Sequence, residues 1–170
     1  MKMRFNQGVL MIELIIVAAI IGVTFFALAE LQVALLKSKT DSINKTRATY
    51  YAIEAIEAVR RVRDDTSRGW PTIQTYTTGG GTLYYPIISA TTGDWDLTTT
   101  SNTPDSGFTW SLAFYNVNRD TIPGSGAIVT GSGSPDDDTR RAVATVSWGT
   151  PLQKVSIETY LIKPVWKSVL

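Results

Sequence analysis

Residues 7–22 read QGVLMIELIIVAAIIG, an apolar run broken by one ionisable side chain, Glu13. No other charge falls in residues 9–29, and from Leu14 to Ala29 sixteen residues pass without one. With the preceding turn, this is about the 20 residues that a helix needs to cross roughly 30 Å of hydrocarbon. The leader ahead of it, MKMRFNQG, is basic through Lys2 and Arg4. By the positive-inside bias it predicts a cytoplasmic N-terminus, a single pass through the cytoplasmic membrane and an exported remainder. A carboxylate inside such a span costs about 2.5–3.5 kcal/mol at the helix centre and less towards the interface, so Glu13 calls for a compensating partner.

Two processing routes fit this beginning. An ordinary secretory signal shares the basic and apolar regions, and Ala27-Leu28-Ala29 satisfies its A-x-A cleavage pattern, which would make the chain a secreted β-rich binding module. The sequence beyond that point favours retention of the segment. After Gly22 no glycine comes before Gly69 and no proline before Pro71. That predicts one helix from Val9 to Arg68, on the order of 90 Å long at 1.5 Å per residue. Its second half is amphipathic, with Ala48, Ala52, Ala55, Ile56, Val59 and Val62 recurring at helical spacing. Arg60, Arg61 and Arg63 fall in its last turns, where cations suit the helix dipole, and Gly69 with Pro71 supplies the stop.

Beyond Trp70 the composition changes. Eleven threonines lie between Thr72 and Thr103, with Gly79, Gly80 and Gly81 among them, which suits short strands and loops. Residues 108–117 (FTWSLAFYNV), 141–148 (RAVATVSW) and 154–162 (KVSIETYLI) read as strands, the last with Val155, Ile157, Thr159 and Leu161 on one face. GTPLQ between the last two predicts a hairpin. The fold expected is α+β: a long N-terminal helix, hydrophobic then amphipathic, packed on a C-terminal antiparallel sheet. Four segments follow: a leader at 1–8, a hydrophobic helix at 9–36, its amphipathic continuation at 37–68 and a β-rich head at 69–170.

Composition excludes much chemistry. The 170 residues include no cysteine and no histidine, which removes Cys/His zinc sites, thiol nucleophiles and imidazole bases. A net charge of +1 gives no electrostatic case for nucleic acid. An enzyme would need a carboxylate pair or a Ser/Lys site, and the sequence fixes neither; no catalytic role and no cofactor are expected.

QGVLMIELIIVAAIIG resembles the N-terminal motif of type IV pilins and pseudopilins: a short basic leader ending in glycine, an apolar residue, then a glutamate five residues past the glycine within an apolar helix. Gly8 matches the last leader residue, Val9 the mature N-terminus, Glu13 the family's glutamate and Gly22 a glycine common in that helix. The segment AIEAIEAVRRVRDD, with Trp70 after it, is similar to PilV-like minor pilins. The resemblance implies a pilin-like fold, cleavage after Gly8 by a membrane prepilin peptidase, and N-methylation of Val9. It further implies storage in membrane lipid, then extraction by an ATPase-driven assembly platform into an extracellular filament of pilin subunits. Removing Lys2 and Arg4 would leave 14 basic against 15 acidic side chains. The chain departs from the family in having valine rather than phenylalanine at position 9, Glu30 where many major pilins have proline, and no cysteines. A pseudopilin of a type II secretion system stands as the alternative within the family.

Glu13 then has a physical role. Cleavage would free a cationic amine on Val9, one helical turn away, able to meet Glu13 of its own or a neighbouring subunit. An unpaired charge in a dry helix bundle costs several kcal/mol, so the pair can dictate axial register. Other features carry weaker readings. Asp136, Asp137 and Asp138 are calcium candidates, although GSGSPDDDT reads first as a solvated connection into the next strand. Asp94-Trp95-Asp96 reads as a half-buried tryptophan between solvated acids. Arg60, Arg61 and Arg63 could touch DNA, but no aromatic-interleaved groove accompanies them.

Overall fold

The computed structural model describes residues 7–129 and 131–165, with the backbone alone for residues 7–10. Lys2, Arg4 and the rest of residues 1–6 of the leader lie outside the described residues. The chain divides into two units, one running to Ile43 and the other from Asn44 onward.

Helix α1 spans Gln7–Asp64 without interruption, as the absence of glycine and proline after Gly22 requires. Within the first unit every described side chain is exposed. Within the second, the stripe foreseen from the 3.6-residue period is the buried one: Ala48, Ala52, Ala55, Val59 and Val62 have no accessible surface and Ile56 has 4%.

The helix stops at Asp64, before the expected Arg68, and the cause is Asp65. Its carboxylate accepts the Ser67 amide and hydroxyl, both at 2.7 Å, and the Arg68 amide at 3.2 Å, offering the backbone a partner outside the helical ladder. Gly69 follows with φ of +53°, and a second helix, α2, occupies Gly69–Thr75. Gly69 and Pro71 therefore do not supply the stop expected of them; they open the next helix. Pro71 sits in its first turn, where the missing N–H has no helical acceptor to serve.

Six strands follow. β1 (Tyr85–Ile88) and β2 (Trp95–Thr98) form an antiparallel pair. β3 (Phe108–Arg119), β4 (Ile128–Val129), β5 (Ser134–Trp148) and β6 (Gln153–Ile162) form an antiparallel sheet in the order β4-β3-β5-β6. The hairpin expected around GTPLQ joins β5 to β6, with Trp148 opposite Gln153. β5 begins seven residues earlier than the sequence suggested. Pro135 and Asp136 pair with Asn118 and Val117 across a bulge, so part of GSGSPDDDT is strand and not a free connection.

Alternation sorts the sheet's side chains. Phe108, Trp110, Leu112 and Phe114 of β3, Ala142, Ala144, Val146 and Trp148 of β5, and Leu161 of β6 join the α1 stripe in one core. Alanines supply much of the contact from helix and sheet alike, which permits close approach, while aromatic rings fill the margins. Tyr76 stacks on Phe114 with centroids 5.0 Å apart, and Tyr84 meets the same ring edge-on at 5.5 Å. Two backbone bonds between Tyr84 and Leu112, at 2.9 and 2.8 Å, tie the segment before β1 to β3. The result is α+β: a long N-terminal helix packed on a C-terminal antiparallel sheet.

Candidate functional site

The first unit presents the sharpest chemical contrast in the chain. Every large apolar side chain from Met11 to Leu36 is between 49% and 70% exposed. Leu14, Ile15, Ile16 and Val17 follow one another around a full helical turn, so this part of α1 has no polar side. A helix apolar all round is a membrane span or lies inside a larger assembly. This one is long and apolar enough to cross a membrane. An exposed apolar surface of this extent is a contact surface awaiting lipid or protein.

Glu13 lies in this surface, exposed, between Ile12 and Leu14. Glu30 is the next charge along, about 25 Å further at 1.5 Å per residue, and the two bracket a charge-free cylinder close to the thickness of a hydrocarbon layer. Gly8 and Val9 are both helical in backbone, with Val9 one turn before Glu13. A Cβ built on Gly22 would meet nothing within 4 Å, so packing within this chain does not require glycine there. Ala18 precedes Gly22 by four residues, giving a small-residue pair on one face where another helix could approach closely. The sequence reading missed this pair, although the small-xxx-small spacing was its signal.

In the second unit the other candidates separate. Asp136 receives Arg119 Nε at 2.7 Å, Asp138 receives Lys163 Nζ at 3.2 Å, and Asp137 lies 4.0 Å from Arg140. The three aspartates thus address three different cations. Among the described residues no group of three or more acidic side chains is gathered to hold a metal ion. The Thr139 hydroxyl first, and Arg119 next, hold the Asp136 carboxyl below the usual carboxylate range. Asp94 is exposed; Asp96 is half-buried and lies 3.2 Å from Arg68. Trp95 between them meets Trp110 edge-on at 6.5 Å. Arg60 pairs with Glu57 and Arg63 with Asp64, so two of the three arginines already have carboxylate partners. Gly79 and Gly80 donate their amides to the Phe114 carbonyl at 3.0 and 3.3 Å, which makes GGG a structural turn against β3.

The Asp65 turn was not anticipated from the sequence. Asp65 also takes Arg68 Nε at 2.8 Å, and Arg68 reaches the Trp95 carbonyl at 3.0 Å, so this one ion pair connects the end of α1 to β2. Hydrogen bonds from Ser67 and then Arg68 push the Asp65 carboxyl far below its ordinary pKa. The D-x-S spacing, which favours a side chain capturing nearby backbone, was the available signal.

Compared with protein-family models, with curated proteins and with solved structures, the chain matches none.

Proposed function

We propose that the chain is a structural subunit, a minor pilin, of a type IV pilus-like filament. It is cut after Gly8 by a prepilin peptidase, N-methylated at Val9, and held in the cytoplasmic membrane by residues 9–36 with its N-terminus inward. An ATPase-driven assembly platform then moves it into an extracellular filament alongside other pilin subunits. It is a substrate of catalysis and not a catalyst.

The observation that carries this reading is the unbroken α1, apolar on every side from Leu14 to Ala29, with one carboxylate a turn from the amine that cleavage would create. The continuity of α1 through Ala29 and Glu30 also supports it, because a helix used whole needs no cut there. Apolar contact of residues 9–29 supplies cohesion in the filament without preferring one register over another. Glu13 supplies the preference: sliding a subunit by one turn leaves a carboxylate and an amine unpaired in an environment of low dielectric, at several kcal/mol.

Glu13→Ala tests the reading. The variant is expected to be made, inserted and processed normally, and to be absent from sheared surface filaments. Incorporation at the wild-type level would overturn the role given to Glu13.

A further inference from the structure

We infer that the part of α1 in the second unit carries a self-complementary charge stripe, through which parallel copies of this chain pack with an axial offset of seven residues. Arg47, Glu54 and Arg61 follow one another at seven-residue intervals, and all three are exposed. Seven residues fall about 20° short of two turns, so these side chains line one flank of the helix, about 10.5 Å apart, with signs that alternate. Among the described residues none of the three has an ion-pair partner, although nearby Arg60 pairs with Glu57 and Arg63 with Asp64. The flank lies outside the core, to which α1 gives Ala48, Ala52, Ala55, Ile56, Val59 and Val62. Tyr50 and Ile53, 67% and 45% exposed, add apolar surface beside it.

A second copy is the occupant that this pattern fits, because the stripe complements itself once shifted. The inference rests on the filament reading above, in which copies run parallel and are lifted past one another out of the membrane. Two copies at one depth in a membrane have no offset, and Arg47, Glu54 and Arg61 would each face their own kind, which is repulsive at every pair. An offset of three residues sets Glu54 against Glu57. At seven, Arg47 of one copy meets Glu54 of the next, and Glu54 of the first meets Arg61 of that same neighbour.

Each Glu54 then lies between Arg61 of one neighbour and Arg47 of the other, so the contact is heterologous and repeats without closing. Exposed ion pairs of this kind add little cohesion. Their effect is to select among offsets that apolar packing leaves nearly equal, as charges flanking a helix seam do in coiled coils. That makes the stripe a selector of register separate from Glu13.

The test uses the full chain in filaments sheared from cells, with a short bis-maleimide as the probe. Tyr50→Cys and Glu57→Cys, exposed positions seven residues apart beside the stripe, are placed in separate chains that carry no other thiol. Cells that produce both chains are expected to give a 50–57 cross-link, identified by mass spectrometry of the joined peptides. Either chain produced alone could link only at zero offset and is expected to give far less. Adding Glu54→Arg to both chains makes the stripe uniformly cationic and should lower the yield per incorporated chain about fivefold or more. Adding Arg47→Glu and Arg61→Glu as well restores the alternation and should restore the cross-link. Filaments that contain the chains but show no 50–57 link, links of equal yield at 50–50 or 57–57, or a yield indifferent to the reversals would overturn the inference and leave the filament reading standing. Absence of the wild-type chain from sheared filaments would overturn that reading and this inference with it.

Discussion

The seam between α1 and the sheet can be tested by making it more hydrophobic. Ala52 has no accessible surface, and it shares its core with Ala48, Ala55, Ala142 and Ala144, which have none either. Leucine is nearly as good a helix former as alanine, and at about 0.8 kcal/mol per buried CH2 its three extra carbons would contribute about 2.4 kcal/mol if there were room. An alanine-lined seam offers no room. The added carbons must displace helix or sheet, and overpacking of this kind costs about 1–3 kcal/mol. Ala52→Leu is therefore expected to destabilise the second unit despite its greater hydrophobicity. For a unit of this size each kcal/mol corresponds to about 3–5 °C, so thermal unfolding followed by near-ultraviolet circular dichroism should show a midpoint lower by about 3–15 °C. Tyr50→Leu, on an exposed position of the same helix, should leave the midpoint within about 2 °C. An unchanged or raised midpoint for Ala52→Leu would refute the close-packed seam.

Arg140 is 8% exposed, its Nε has no partner, and its nearest carboxylate oxygen is 4.0 Å away. Arg140→Met should accordingly be neutral or stabilising by about 1–2 kcal/mol in urea denaturation, and a loss above about 2 kcal/mol would contradict that view of the site. The Asp136 carboxyl has a lower pKa folded than unfolded, so its contribution is present above the unfolded value of about 3.9 and is lost as pH falls through the folded one. Asp65 adds to the same acid limb. Asp136→Asn should flatten the decline in unfolding midpoint between about pH 5 and pH 2, and an unaltered profile would remove Asp136 as a cause. Burial first, with the Asp96 carboxylate next, pushes the Tyr76 phenol up to about 12. Spectrophotometric titration should show a phase near pH 12 that Tyr76→Phe removes, and a titration unaltered by that substitution would contradict the buried phenol. Gly133→Ala would bring a Cβ to 2.5 Å from the Arg119 carbonyl, so it should destabilise the start of β5, read as faster amide exchange at its pairing with β3.

Local patterns made most of the architecture legible in the sequence. A long stretch without glycine or proline is a property of consecutive residues, and the stripe from Ala48 to Val62 repeats with the helix's own period. Alternation in KVSIETYLI identified the buried face of β6 for the same reason. Where the reading fell short, the deciding partner was elsewhere or the competition was too fine. Asp136 belongs to a strand because Arg119, seventeen residues earlier, holds it there. Asp65 ends α1 through bonds to Ser67 and Arg68 that compete with helical ones of similar strength. The aromatic core around Tyr76, Tyr84 and Phe114 draws on three separate segments, which no single window of sequence displays. The candidate motif from Gly8 through Glu13 to Gly22 is contiguous, so its residues could be picked out from the sequence alone, and they lie on one helix.

The intact mass and N-terminal peptide of the protein isolated from cell membranes test the central claim most directly. A chain that begins at Val9, one methyl group heavier on its amine, is the expected result. A chain that keeps its first eight residues, or one that begins at Glu30, would contradict the account.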